Sequence, residues 1–122
     1  MEKTKLGELE AGDLIALEAL EDGVRRFELN ECEVDAMEVK NAMLMSGEQC
    51  LVIARKIGEK RCTVVASRKL DMVEKMAKKK DHPNVVTLLF SGSDGEKSQW
   101  KIEAKDTMAV CSEISNALAQ LD

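Results

Sequence analysis

Apolar and polar residues alternate strictly over residues 98–105, where Trp100, Ile102 and Ala104 are separated by Lys101 and Glu103. A period of two marks a strand with one buried face. The preceding run at 84–90, Asn-Val-Val-Thr-Leu-Leu-Phe, favours β structure throughout, and Ser-Gly-Ser-Asp-Gly at 91–95 supplies a reversal. Beyond residue 105 the period changes. Val110, Cys111, Ile114, Ala117, Leu118 and Leu121 recur at spacings of three and four, which predicts an amphipathic helix over residues 106–121. Asp106 or Thr107 caps it by accepting a hydrogen bond from a backbone N–H that has no partner within the helix.

Upstream the pattern is mostly strands and turns. Residues 1–12 are polar and fit a short helix or a loose lead-in, and residues 13–20 suit either a short helix or a first strand. Residues 24–39 alternate with phase slips, with Phe27 and Leu29 in one phase and Cys32, Val34 and Ala36 in the next. A slip flips every later side chain to the other face, so two strands with a break near Asn30 and Glu31 are expected. Residues 41–46 and 49–56 read as a hairpin turning at Gly47 and Glu48. Another strand follows at 60–66, with Cys62, Val64 and Ala66 in one phase. In residues 69–80, Leu70, Val73 and Met76 stand three apart, one face of a short helical turn, which Pro83 ends because proline disfavours helical geometry at His82. The expected total is about seven strands, all antiparallel, and one helix.

Composition sharpens this reading. The chain has 122 residues, one domain's worth, with 44% hydrophobic residues but only Phe27, Phe90 and Trp100 as aromatics. The core must therefore be aliphatic and methionine-rich. Its expected members are Leu29, Val34, Leu44, Leu51, Ile53, Val64, Val86, Leu88, Phe90, Trp100, Ile102, Val110, Ile114, Leu118 and Leu121. Met37, Met43, Met45, Met72, Met76 and Met108 join it, or else form an adaptable binding surface. No apolar run is long enough to span a membrane, and the polar start offers no signal-peptide pattern, which together point to the cytosol. Cys32, Cys50, Cys62 and Cys111 are far apart and lie inside predicted elements, so reduced, buried thiols are expected ahead of a disulfide framework or a zinc site.

Charge is segregated along the chain. Residues 1–50 carry 5 basic and 13 acidic side chains, a net of −8, whereas residues 51–80 carry 10 basic and 3 acidic, a net of +7. All ten basic residues of that middle segment are candidate ligand-binding residues: Arg55, Lys56, Lys60, Arg61, Arg68, Lys69, Lys75, Lys78, Lys79 and Lys80. If they meet at one rim they form a cationic patch for an acidic protein or peptide, or for an anionic membrane surface. The bland alternative is lysines guarding strand edges. An acidic balance and few stacking rings argue against nucleic acid. Catalytic chemistry is poorly served: the one histidine, His82, stands at a turn, there is no tyrosine, and no glycine loop suits a phosphate. No residue pattern calls for a cofactor or a metal.

The pattern resembles the pleckstrin-homology-like superfold. Residues 42–53, an apolar pair, a polar turn and an apolar strand, look like its opening hairpin. Leu70, the basic run to Lys80, His82 and Pro83, and the strand at 84–90 resemble a passage found in that superfold and in the tail-homology domain of class I myosins. Residues 100–121 look like its last strand and closing helix. The resemblance implies a mostly β, α+β domain: a bent antiparallel sheet or barrel capped by one C-terminal helix. It also implies a non-enzymatic binding module, acting in protein interaction or weak anionic-lipid binding. The alternative is a structural or self-associating domain of a larger cytoskeletal or trafficking assembly. Phosphoinositide-binding members are implied to carry a basic cluster between the first two strands. Placed near residues 18–26, that loop here mixes Glu21 and Asp22 with Arg25 and Arg26.

Overall fold

The computed structural model describes residues 2–121. Nine strands and one helix follow in the order β1 (Leu14–Ala16), β2 (Arg25–Val34), β3 (Met37–Glu38), β4 (Ala42–Gly47), β5 (Cys50–Ile57), β6 (Arg61–Lys69), β7 (Val73–Lys79), β8 (His82–Ser91), β9 (Lys97–Ala104) and α1 (Thr107–Ala119). Every strand pairing is antiparallel, in the order β1-β6-β5-β4-β2-β9-β8-β7, with β3 attached to β2. The order ends at β1 and β7 without closing, so the architecture is an open, bent sheet and not a barrel.

The long strand β2 makes the bend. Its first half, Arg25 to Glu28, pairs with β4, and its second half, from Leu29 to Val34, pairs with β9. A register shift between Leu29 and Glu31 separates the halves. The expected break near Asn30 is therefore a bulge inside one strand, which bends it without ending it. The reversal comes later, at Asp35 and Ala36, whose φ values of 50° and 70° match a two-residue type I′ turn.

Residues 69–80 depart from the helical reading. Leu70 to Met72 form a single 3₁₀ turn, and Val73 to Lys79 continue as the edge strand β7. Three residues at spacing three cannot distinguish one turn of helix from its surroundings, and pairing with β8 decides the outcome. β7 was not among the expected strands, and β1 falls in a segment whose pattern suited a short helix or a strand equally. Residues 24–39, expected to hold two strands, hold β2 and the short β3.

Two clusters of buried side chains lie on opposite faces of the β4-β5-β6 layer. The larger contains Val34, Leu44, Leu51, Ile53, Val86, Leu88, Phe90, Trp100, Ile102, Val110 and Ile114, with Leu29, Leu118 and Leu121 packed at its margin. It agrees with the expected core apart from Val64. The second is built by the lead-in: Leu6, Leu9, Ile15 and Leu20 pack on Met43, Met45, Cys50, Val52, Ala54, Cys62 and Val64. Residues 2–24 are thus a packed layer, not a loose tail. Glu21 accepts the Leu6 N–H at 2.6 Å, and Thr4 exchanges backbone hydrogen bonds with Ala19 and Glu21.

This second layer explains why β4 and β5 read as unbroken apolar runs: both of their faces are buried. It also explains Val64. Ile53 pairs with Ala66 but Ala54 pairs with Val64, so Val65 is an extra residue in β6. The bulge reverses the phase, sending Cys62 and Val64 to the outer cluster and Ala66 to the inner one.

The helix begins where the sequence places its cap, the Asp106 carboxylate accepting from the Ala109 N–H at 3.1 Å. Thr107 instead points inward and donates to the Asn84 carbonyl at 2.6 Å, tying the start of α1 to β8. Of the methionines, Met43 and Met45 are buried, but Met37 and Met108 are 67% and 72% exposed and belong to neither cluster.

Candidate functional site

The strand registers divide the ten candidate basic residues into three groups. Arg55, Lys56, Lys60 and Arg61 gather at the β5–β6 hairpin, where Ile57 pairs with Arg61 and Gly58 turns the chain at φ 70°. A positive φ strains any residue with a Cβ, so glycine suits that position. Arg68 and Lys69 stand at the other end of β6, about 23 Å along the strand from Arg61 at the usual rise per residue. Lys75, Lys78, Lys79 and Lys80 lie on or beside the edge strand β7, which pairs only with β8 among the described residues. The single continuous rim imagined from the sequence is not what the registers give: Arg61 and Arg68 occupy opposite ends of one strand.

Two of the ten are already engaged. Lys56 donates to the Glu28 carboxylate at 2.7 Å, and this hydrogen bond, reinforced by the ammonium charge, holds the Glu28 carboxyl below its ordinary value. Arg68 is held from three sides: it donates to the Ser67 carbonyl at 2.8 Å and to Ser98 Oγ at 3.0 Å, and it stands 3.7 Å from Asp35. Arg68 thus has a structural role. Among the described residues, Arg55, Lys60, Arg61 and Lys69 form no ion pair, nor do the four lysines at β7.

A groove of about 870 Å³ runs beside β2, β8 and β9. Of the ten residues only Lys79 reaches it, and it meets His82, Lys101, Glu31, Glu33 and Glu103 there. His82 is the first residue of β8, opposite Lys79 and exposed, so the strand begins two positions earlier than the proline pattern suggests. Glu31 faces Glu103 directly across the pairing, and Glu33 faces Glu38. Like charges in those positions repel. This groove was not legible in the sequence, because it assembles charges from strands some 70 residues apart.

The buried thiols have little nucleophilic character. Burial pushes Cys32 and Cys50 up to about 11, with Glu33 and Glu21 adding to the effect, and it raises Cys62 against the opposing charge of Arg26. Each stays a neutral thiol at pH 7. Cys111 is half-buried on α1, and all four are free.

The loop that joins the first two strands in chain order, β1 and β2, is residues 17–24, close to where it was placed, with Arg25 and Arg26 opening β2. The link between the two long strands β2 and β4 is residues 35–41. It carries Asp35, Glu38 and Lys40 and is, like the segment first assigned, not a basic cluster. No protein-family model matches the chain, and none of the curated proteins does.

Proposed function

We propose that this chain is a non-enzymatic, pleckstrin-homology-like binding module of the cytoplasm that takes a negatively charged partner, a protein or an anionic lipid surface, through the basic end of its β5–β6 hairpin. The fold part of this reading is supported by seven long strands, β2, β4, β5, β6, β7, β8 and β9, followed by one capped helix. The site part rests on a single observation: Arg55, Lys60 and Arg61 converge on one turn with no ion pair among the described residues, while Lys56 beside them is neutralised by Glu28. Cations held together repel one another and favour any anion that arrives. The β7 lysines have a sufficient role in shielding an edge strand from further pairing.

Co-sedimentation with vesicles, with and without phosphoinositides, at low and physiological salt, run beside capture on an immobilised glutamate-rich peptide, tests this reading. The expected result is retention by at least one of these anions, weakened as salt screens the charges and indifferent to phosphoinositide. Retention by neither at low salt overturns it. Self-association of the acidic first half with the basic middle of a second copy is the other reading favoured by the charge segregation, and it predicts a salt-sensitive sedimentation coefficient.

A further inference from the structure

The basic hairpin end does not stop at β5 and β6. β1 continues the sheet past β6, and the registers set two cross-strand rows on it: Leu14, Thr63 and Arg55 in one, Ala16, Arg61 and Ile57 in the next. Directly opposed residues in antiparallel strands point to the same face. Ile15, Cys62 and Ala54 point the other way, into the cluster under the lead-in layer. The six residues of the two rows therefore share one face. Ala42, the next residue of the first row, lies in the inner core. The six occupy the stretch where this face runs out of the core into solvent.

Two members of the patch are among the four large hydrophobic residues left most open among the described residues, Leu14 at 59% and Ile57 at 43% exposure. Arg61 stands on β6 between them, Arg55 stands on β5 two residues before Ile57, and neither arginine forms an ion pair among the described residues. A guanidinium that is weakly hydrated and flanked by aliphatic side chains favours a carboxylate delivered next to an apolar group. The strand order also ends at β1, leaving its outer edge without a paired strand among the described residues.

We infer that this face docks an extended acidic peptide segment, laid along the β1 edge, in which glutamate or aspartate and an aliphatic residue stand two positions apart. In an extended chain, residues two apart share a face. Such a segment presents an aliphatic side chain to Leu14 and a carboxylate to Arg61 in the adjacent row. A bilayer fits less well. Glu10, Asp13 and Glu59 are exposed around the patch, and a charged plane meets these carboxylates as well as the arginines. A narrow strand meets only the rows. This inference rests on the binding-module reading and names its partner.

The test is fluorescence anisotropy with a labelled peptide Glu-Ser-Leu-Ser-Glu-Ser-Leu-Ser, against a scrambled peptide of the same composition and against phosphatidylserine vesicles. The expected result is that the patterned peptide binds at least fivefold more tightly than the scrambled one. Leu14→Ser with Ile57→Ser, and separately Arg55→Glu with Arg61→Glu, weaken it tenfold or more. Lys78→Glu with Lys79→Glu and Lys80→Glu changes it less than twofold. Each variant is first shown to keep the wild-type melting temperature within a few degrees. Equal binding of the two peptides, or a loss only in the lysine triple variant, overturns the inference while the binding-module reading stands. Binding of vesicles without binding of either peptide overturns it in favour of a membrane, and binding of none of the three overturns both.

Discussion

The guanidinium carbon of Arg68 lies 5.7 Å from the centre of the Trp100 ring, joining the end of β6 to the middle of β9. Asp35 and Ser98 hold the same guanidinium in place, and the Asp35 carboxylate is itself anchored by the Gln99 N–H at 2.7 Å. The contact thereby ties the β4-β5-β6 part of the bent sheet to the part that contains β9. Replacing Arg68 by Met keeps the aliphatic stem and removes the cation–π contact, the ion pair and the hydrogen bonds. A loss of about 1–2 kcal/mol in urea unfolding is expected, with Arg68→Lys recovering only part of it.

Trp100 is fully buried, 4.7 Å from Phe90 between ring centroids, and shares its cluster with Val110 and Ile114 of α1. Truncation to alanine is expected to cost on the order of 3–5 kcal/mol. Its indole N–H is buried with no hydrogen-bond partner among the described residues. Trp100→Phe removes that unpaired donor together with some volume, so its cost is expected to fall below half that of alanine. Thermal melts of the two variants check the ordering.

The lead-in layer is locked by a close approach. A Cβ added at Gly47 would stand 2.8 Å from Leu6 Cδ2 and 3.0 Å from Leu6 Cβ, and Leu6 is fully buried. Gly47→Ala is therefore expected to destabilise by about 1–3 kcal/mol, and Leu6→Ala by about 2–5 kcal/mol. Their combination should cost clearly less than the two separately, because shortening Leu6 vacates the space the new methyl needs. Strict additivity in a double-mutant cycle would place Leu6 elsewhere.

Ala36 sits at φ 70° after Asp35 at φ 50°. Alanine gains nothing from the left-handed region that glycine enters freely, and this turn type favours Asp-Gly. Ala36→Gly is expected to raise stability by about 1 kcal/mol, read as a higher urea midpoint at unchanged slope.

The thiols give the alkaline limb of stability. Cys32 and Cys50 titrate at about 11 in the fold against an ordinary value of 9.0, so the unfolded chain loses these protons first. Their contribution is complete below pH 9 and is lost as pH rises from there towards 11. The urea midpoint of the reduced protein should fall across that window, and Cys32→Ala with Cys50→Ala should flatten the fall. At the acid end, Glu28, held below 4.5 by Lys56, contributes in the opposite sense, and that contribution disappears as pH drops through its lowered value.

How much of this the sequence carried follows the physics of each segment. Residues 98–121 were legible because one face of β9 and one stripe of α1 are buried, giving clean periods of two and of three to four. β4 and β5 were legible as strands, but their unbroken apolar runs hid the second layer, since nothing local says what covers the far face. The bulge at Val65 misled the phase of Val64, because a bulge is a property of a pair of strands and not of one. The candidate site was legible only as a list of cations. Which of them meet depends on register: the sequence grouped Arg61 with Arg68 and kept Leu14 apart, whereas the pairings of β6 with β5 and β1 do the reverse.

The most direct test of the account is where an acidic partner touches the protein. Titrating ¹⁵N-labelled protein with a glutamate-rich peptide and following amide shifts gives that map residue by residue. Shifts concentrated at residues 13–17 and 55–63, with the amides of 75–82 unmoved, are expected. Shifts centred on the β7 edge strand, or spread evenly over every exposed lysine and arginine, would contradict it.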